Sequence, residues 1–476
     1  MRRYQLRDVL EGTGGELSRP VEDRAIFLRL ERDSRRVQRG DVFLAVKGEN
    51  LDGHDYVKAA LEQGATTAIV SREWAARHPE IDQPLILVDE PVKALQRWAA
   101  WRRDRLDVKV IGITGSVGKT SAKESIAAVL SQRFNVFRSP GNFNNEIGLP
   151  LSILDCPEDA EIMVLEMGGA YAFGELTLLA EIAKPDVGVV TNIYPVHLER
   201  MGTIENIAKT KQELVEAIPA DGLVVLNHDD PRVRAMSVAS KARVITYGLH
   251  EPADIQAYDV ASEGLKGTSF WVRIEGEETF MRVPLIGGPG LQIAIVALAV
   301  GHGFGMHVSE MLLGLRDPGI QVRLLFVPGP NGSKMIDDTY NASTPSVLAA
   351  LGLLEELPAK RKIAVLGEMR ELGSHAEEGH RIVGGRAGDV VDMLVTFGKL
   401  TSYAVEEARS IAREAGRTLE VRAFREDQRD ELTTFLQNEL REGDVVLLKG
   451  ANGLHMETIV DALRPDAGPS AGKVDA

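Results

Sequence analysis

The chain has 476 residues, 44% hydrophobic and 26% charged. At about 100–200 residues per domain this means two to four domains of ordinary globular composition, which excludes a fibre or wholesale disorder. Acidic residues outnumber basic ones 70 to 55, a formal charge of −15, which disfavours a broad nucleic-acid or anionic-membrane surface but leaves room for a local basic pocket. Cys156 is the single cysteine, so an intramolecular disulfide and a Cys-rich zinc site are excluded. The opening MRRYQLRDVLEG has no apolar core behind its arginines and does not read as a signal peptide. The longest apolar run, LQIAIVALAV at 291–300, is half a membrane span. A cytoplasmic monomer is the expectation, with no membrane span and no nucleic-acid partner.

Three compositional blocks follow in order. Residues 1–106 carry short strand signals (DVFLAV, TTAIV, PLILVD) joined by helical patterns such as HDYVKAALEQG, and the charged segment WRRDRLD marks the boundary. Residues 107–318 carry strand signals in AEIMVLEM, DVGVVTNI, GLVVLN, ARVITYG and SFWVRI, the early ones separated by helical patterns. Such alternation predicts a parallel sheet covered on both faces, with an antiparallel extension from the later strands. Helical patterns near 290–303 and 308–315 close this block. Residues 319–465 alternate again through SKMIDD, RKIAVLGEM, DMLVTFG and GDVVLLKG, another open α/β sheet. The small, polar tail 466–476 is expected to be disordered.

The strongest chemical signal is IGITGSVGKTSAKE at 111–124. A β-branched strand runs into Gly115-Ser116-Val117-Gly118-Lys119-Thr120-Ser121, and the following helix places Ala122, Ile126, Val129 and Leu130 on one face. Glycines let backbone N–H groups approach phosphate oxygens, and the helix N-terminus adds partial positive charge. Lys119 is placed to reach the β/γ-phosphates, and the Thr120 hydroxyl to ligate Mg²⁺. Ile113 stands where the strict pattern has its first glycine. The turn predicts a nucleoside triphosphate but leaves kinase, GTPase, motor and ligase open.

Two carboxyl-end residues extend the site. Glu166 ends AEIMVLEM, and ligands in open α/β sheets bind beyond the carboxyl ends of strands; beside a P-loop it is a candidate Mg²⁺ ligand, or else a solvated strand end. His197 lies four residues beyond DVGVVTNI, and a lone histidine there is more often a packed or surface residue than a ligand. The helix that follows, capped by Thr203, carries Ile204, Ile207, Ala208, Leu214, Val215 and Ile218 on one stripe at 100° per residue. Lys211 falls within that stripe and Lys209 nearly opposite. Burial would lower the Lys211 pKa, and a neutral amine can take up CO₂ as a carbamate; the other reading is a packed stem with its ammonium in solvent.

Taken together, these segments resemble the Mur ligase family over nearly the whole chain. The likeness is carried by DSRRVQRGDVFLAVKGENLDGHDYVKAALEQGA (33–65), TGSVGKTSAKE, GNFNNEIGLPLSIL (141–154), LEMGG, TNIYPVHLERMGTIENIAKTK, DDTYNASTPSVLAAL (337–351), GEMRELG (367–373) and LLKGANGLHMETIV (447–460). DDTYNAS and GNFNNEIG resemble the members that add D-alanyl-D-alanine. The resemblance implies a three-domain α/β architecture: an N-terminal UDP-sugar-binding domain, a central P-loop ATPase domain with a parallel sheet, and a C-terminal dinucleotide-fold-like domain for the amine. It implies an ATP-dependent, Mg²⁺-dependent amide-forming ligase of peptidoglycan precursor synthesis. Its substrates would be UDP-N-acetylmuramoyl-tripeptide and D-alanyl-D-alanine, with an acyl phosphate between them. The same likeness places Glu166, His197 and a carbamylated Lys211 at metal positions beside Thr120. It places Ser34 and Arg35 at the nucleotide-sugar, Asn142, Asn144 and Asn145 near the reacting substrate, and Arg323, Asp338, Tyr340 and Asn341 at ATP.

Three departures from the family pattern stand out. The Gly-x-His-Asn-x-x-Asn stretch that approaches adenine reads Gly287-Gly288-Pro289-Gly290-Leu291-Gln292-Ile293. The Gly-Arg opening the third domain reads Val322-Arg323. The late Lys-Gly-Ser-Arg reads Lys449-Gly450-Ala451-Asn452. The phosphate and magnesium set is untouched by these changes. They motivate two rival expectations, a ligase with a different substrate pair and a catalytically silent nucleotide-sugar-binding homologue.

Overall fold

The structure, a computed structural model, describes residues 4–20, 26–27, 29–48, 51–169, 172–196, 198–317 and 325–465. Two expected site residues, His197 and Arg323, and the tail 466–476 lie outside the described residues. Among the described residues three sheets of five, nine and six strands carry the fold, with a two-stranded ribbon of Tyr4–Gln5 and Ile26–Phe27.

The first sheet orders Glu16–Leu17, Leu85–Val88, Thr67–Ser71, Val42–Leu44 and Leu30–Glu31. Its three inner strands are the ones visible as apolar runs; the two-residue edge strands are too short to show a pattern. Helix α1 (Pro91–Arg103) follows. The charged segment read as a boundary includes its last turn, and residues 106 and 107 fall between this helix and the next strand. Arg103 donates to the carbonyls of Ala183 (2.8 Å) and Lys184 (3.2 Å) and pairs with Asp186 at 3.5 Å, so its charge docks the helix on the next unit. The buried face of α1, with Leu95, Trp98 and Ala99, shares one apolar cluster with Leu149, Ile153 and Leu179 of the central unit.

The central unit runs β1 (Lys109–Thr114), α2 (Lys119–Leu130), β2 (Val136–Arg138), α3 (Gly148–Asp155), β3 (Ile162–Glu166), α4 (Glu175–Ala183), β4 (Val187–Val190), α5 (Ile204–Ala217), β5 (Leu223–Asn227) and β6 (Arg243–Gly248). Strands β7 (Ile255–Ser262), β8 (Thr268–Ile274) and β9 (Glu277–Val283) form the antiparallel extension, and helices α6 (Gly287–Gly303) and α7 (Val308–Leu315) follow. The sheet order is β9-β8-β7-β6-β5-β4-β1-β3-β2. Strands β3, β4 and β5 are buried along their whole length, which is why they read as continuous apolar runs and not as alternation. The face expected for α2 (Ala122, Ile126, Val129 and Leu130) is buried, and Ser121, Lys123, Ser125, Ala127 and Ala128 are buried as well, the alanines in the apolar cluster that α2 shares with α6 and α7. The 291–300 run is the interior of α6, apolar on all sides because it is enclosed. Among the described residues, no helix is long and apolar enough to cross a membrane.

The third unit runs β10 (Leu325–Pro328), β11 (Lys334–Asp338), α8 (Thr344–Glu356), β12 (Arg361–Gly367), α9 (Ala376–Val390), β13 (Met393–Phe397), α10 (Ser402–Glu414), β14 (Glu420–Phe424), α11 (Arg429–Glu439), β15 (Asp444–Lys449) and α12 (Glu457–Leu463). The order is β10-β11-β15-β12-β13-β14. The chain steps outward to β14 and then returns to insert β15 beside β11. Right-handed crossovers in opposite directions put helices on opposite faces. Leu351, Leu354, Val383 and Ala387 accordingly fill one face, and Leu432, Leu436, Ile459 and Leu463 the other.

Trp98 is 1% exposed and meets Tyr4 edge-on with ring centroids 5.0 Å apart. Truncation to alanine in a tightly filled core costs about 3–5 kcal/mol. Trp98→Ala is therefore expected to lower the urea midpoint of the first and central sheets together; separate transitions would show that the shared core does not couple them.

Candidate active site

The site grows from β1 and its two neighbours in the sheet, β3 and β4. The turn after β1 has Gly115 at φ +144°, where a Cβ would lie 2.0 Å from the Thr191 hydroxyl, and Gly118 at φ +83°. Both positions demand glycine, one for space and one for conformation. The residues after β4 lace this turn in place. Ser116 N donates to Asn192 O (2.9 Å), Val117 N to Asn192 Oδ1 (2.9 Å), and Thr191 Oγ1 and Asn192 Nδ2 both donate to Val117 O. Ser116 and Val117 thus spend backbone N–H groups inside the protein, and the start of α2 at Gly118-Lys119-Thr120 is left as the dipole end of the turn, with Ser121 buried behind it. Lys119 folds back, its Nζ donating to Gly115 O at 2.8 Å and Ser116 O at 3.3 Å. Asn192 was not singled out from the sequence; its only signal there is its place at the end of a strand adjoining the P-loop.

Strand β3 delivers Glu166, 2% exposed, into this turn. Thr120 Oγ1 donates to Glu166 Oε2 at 2.6 Å, and Asn144 Nδ2 donates to Glu166 Oε1 at 2.8 Å. A hydroxyl and a carboxylate side by side at a phosphate-binding turn suit Mg²⁺, which takes few protein oxygens and completes its shell with water and phosphate. Among the described residues no three His, Cys, Asp or Glu side chains converge, so an all-protein cage is not the arrangement here.

Helix α5 is built as its pattern predicts. Thr203 Oγ1 caps Asn206 N, Ile207, Leu214 and Val215 are buried, Lys209 is exposed and Lys211 is 3% exposed. The Lys211 amine sits in the Gly168-Gly169 turn after Glu166, donating to both carbonyls at 2.7 and 2.6 Å. Burial, reinforced by the neighbouring Lys119 ammonium, brings its pKa down to about 7 against the pull of Glu175, Glu213 and Glu166.

The other expected residues divide between contact and support. Asn142 Nδ2 donates to the Tyr340 hydroxyl, joining the loop after β2 to the third unit. Asn145 is committed locally, its Oδ1 accepting from Ile147 N and Gly148 N to open α3. Ser34 and Arg35 form a short 3₁₀ turn, with the Arg35 guanidinium closed on Asp33 (3.0 and 2.9 Å). Arg32 of the same segment lies over the Phe143 ring at 5.9 Å, so the first unit also reaches the loop after β2. Asp338 pairs with Lys449 (2.6 Å), whose Nζ also donates to Asn341 O (2.8 Å). At the altered adenine-side stretch, Gln292 supplies a buried Oε1 with no partner among the described residues.

Three family models match in succession: Mur ligase family, catalytic domain, over 29–103; Mur ligase middle domain over 113–301; and Mur ligase, glutamate ligase domain, over 322–452. The UDP-N-acetylmuramoyl-tripeptide–D-alanyl-D-alanine ligase of Bacillus subtilis (strain 168) is 34% identical over 475 residues, 97% of this chain and 99% of its own length. The chain belongs to the Mur ligase family. The ligase of the same name from Mycobacterium tuberculosis (strain H37Rv) is 32% identical over 97% of both chains. Among solved structures, MurF from Acinetobacter baumannii superposes with a TM-score of 0.84 at 27% identity, covering 97% of this chain and 99% of that one. MurF from Thermotoga maritima, solved in complex with ADP, gives 0.77 at 30% identity, covering 91% and 96%. The three-domain Mur ligase fold expected from the motifs is the fold observed.

Lys449 is 2% exposed, and removing one partner of a buried pair costs about 3–5 kcal/mol because the other charge stays behind. Lys449→Met is expected to destabilise the third unit by that amount in thermal denaturation, and the double variant Lys449→Met/Asp338→Leu to recover most of it.

Proposed function

We propose that this Mur ligase joins D-alanyl-D-alanine to UDP-N-acetylmuramoyl-tripeptide with cleavage of ATP to ADP and phosphate, in the cytoplasm, as a step of peptidoglycan precursor synthesis. The observation that carries the reading is the Thr120–Glu166 pair at the P-loop, flanked by the Lys119 and Lys211 nitrogens. The full-length likeness to ligases of that name supports the substrate pair.

The tripeptide carboxylate attacks the γ-phosphorus; an O–P bond forms and the bond to the ADP oxygen breaks. The amine of D-alanyl-D-alanine then attacks the acyl phosphate carbon, phosphate leaves with the C–O bond pair, and the amine proton passes to solvent. Neither step needs a protein nucleophile, so positioning and charge neutralisation supply the rate. The Lys119 ammonium moves from the Gly115 and Ser116 carbonyls to the β/γ-phosphates. Thr120 and Glu166 would hold Mg²⁺, which when bound offsets charge on the transferring phosphoryl group; His197 would join them. Asn144 fixes the Glu166 carboxylate from behind.

Lys211 has an amine largely neutral just above its pKa of about 7, which suits uptake of CO₂ as a carbamate. The carbamate would turn a neutral amine beside Lys119 into an anion and support the metal side of the site. Asp338, Tyr340, Asn341 and Arg323 meet ATP from the third unit. Ser34 and Arg35 take the nucleotide-sugar, and the Asn142–Tyr340 contact closes the third unit over the loop after β2 and excludes water from the acyl phosphate. A second reading, the same chemistry on a different pair, is motivated by Pro289, Gly290 and Ala451, and assays with other acceptor and donor pairs separate the two.

With UDP-N-acetylmuramoyl-tripeptide and D-alanyl-D-alanine together, a coupled assay is expected to show phosphate release, and neither substrate alone to suffice; silence with this pair and turnover with another sinks the substrate assignment. Lys119→Ala is expected to lower kcat by at least about 10²-fold, the scale of losing one preorganised donor to developing charge. Lys211→Ala is expected to abolish turnover, with a short-chain carboxylate restoring part of it; full activity in that variant would remove the carbamate from the mechanism.

A further inference from the structure

Lys123 lies one turn beyond Lys119 on α2 and is 0% exposed. An ammonium at that depth is strongly unfavourable unless each N–H is met. Here all three are: Nζ donates to Ser139 O at 2.6 Å and Gly141 O at 2.7 Å, and Glu124 Oε1 lies 3.2 Å away. The other Glu124 oxygen is 2.6 Å from Arg138 Nε. Ser139 is stitched in turn to β3, its N donating to Val164 O (3.0 Å) and its Oγ accepting from Glu166 N (3.3 Å).

Beyond Gly141 the chain presents three side chains to three different parts of the molecule. Asn142 meets Tyr340 of the third unit, Phe143 lies under Arg32 of the first, and Asn144 holds Glu166. One ammonium thus pins the root of the loop on which all three units converge, and pins it to the helix that opens with the phosphate-binding turn.

We propose that Lys123 is a positioning residue for ligation: it makes the 139–148 loop rigid with the P-loop helix, so that the carboxylate end of the UDP-linked substrate and the third unit are held at a fixed distance from the triphosphate. The assignment rests on the ligase reading. It acts through the placement of Asn142 and Phe143 and touches no reacting atom.

Lys123→Met fills the same space without donors, and Lys123→Gln keeps two donors for the two carbonyls. The Met variant is expected to bind ATP with unchanged affinity by calorimetry in the presence of Mg²⁺. Its kcat should fall on the order of 10²-fold, the scale of an ångström-sized misplacement, with a raised KM for the UDP-linked peptide and the Gln variant intermediate. Amide hydrogen exchange should accelerate in 139–148 and remain unchanged in α2 and β3. Wild-type kcat and KM in the Met variant, or exchange accelerated across the whole central sheet, would overturn the proposal. If the Met variant does not fold, the exchange pattern of the Gln variant decides by the same criterion. A wild-type protein that releases no phosphate with the proposed pair defeats the ligase reading alone, since the exchange experiment needs no substrate.

Discussion

Buried lysine amines held by loop carbonyls organise this protein's site. Lys123, Lys211 and Lys449 are each at most 3% exposed, and each spends its N–H groups on backbone carbonyls just beyond the carboxyl end of a strand: Ser139 and Gly141, Gly168 and Gly169, Asn341. A buried cation is tolerated only where every donor is satisfied. The requirement works in both directions. The loop must adopt the one path that brings its carbonyls to the nitrogen, so three catalytic-face loops that would otherwise be free to vary are given defined shapes.

The same constraint sets the electrostatics. Lys119 and Lys211 are close enough for one to lower the pKa of the other, and Glu166 is the carboxylate set between Thr120 and Asn144. Such a site favours added negative charge: a triphosphate, an acyl phosphate, or a carbamate on Lys211 itself. This reconciles a local anion site with a chain whose formal charge is −15, since the nitrogens of Lys119 and Lys211 are gathered at one place.

Topology explains why these groups meet. β1 lies between β3 and β4, so the P-loop emerges flanked by Glu166 on one side and by the Thr191-Asn192 segment on the other. That is the place where crossovers diverge in an open α/β sheet, and ligands bind there for want of a covering connection. The loop between β2 and α3 leans into the same opening and is touched by Arg32 from the first sheet and Tyr340 from the third.

The sequence by itself determined what depends on local order along the chain. Apolar runs marked the enclosed strands, a 3.6-residue stripe set Lys211 inward and Lys209 outward, and the Gly-Ser-Val-Gly-Lys-Thr turn between strand and helix announced a phosphate. It missed the strands Leu325–Pro328 and Glu420–Phe424; the second, an edge strand, is nowhere fully buried and mixes charged with apolar residues, so it leaves no continuous apolar signature. It read the charged segment WRRDRLD as the place of a boundary but not that Arg103 docks the helix onto the next unit, because the carbonyls that Arg103 binds lie some eighty residues away. Only the tertiary structure decided that Asn144 serves Glu166, that Asn145 opens a helix, and that Asn192 and Lys123 matter. Asn145 bonds the N–H groups of Ile147 and Gly148 close by, while the others bond groups distant in sequence, and no periodicity encodes any of them.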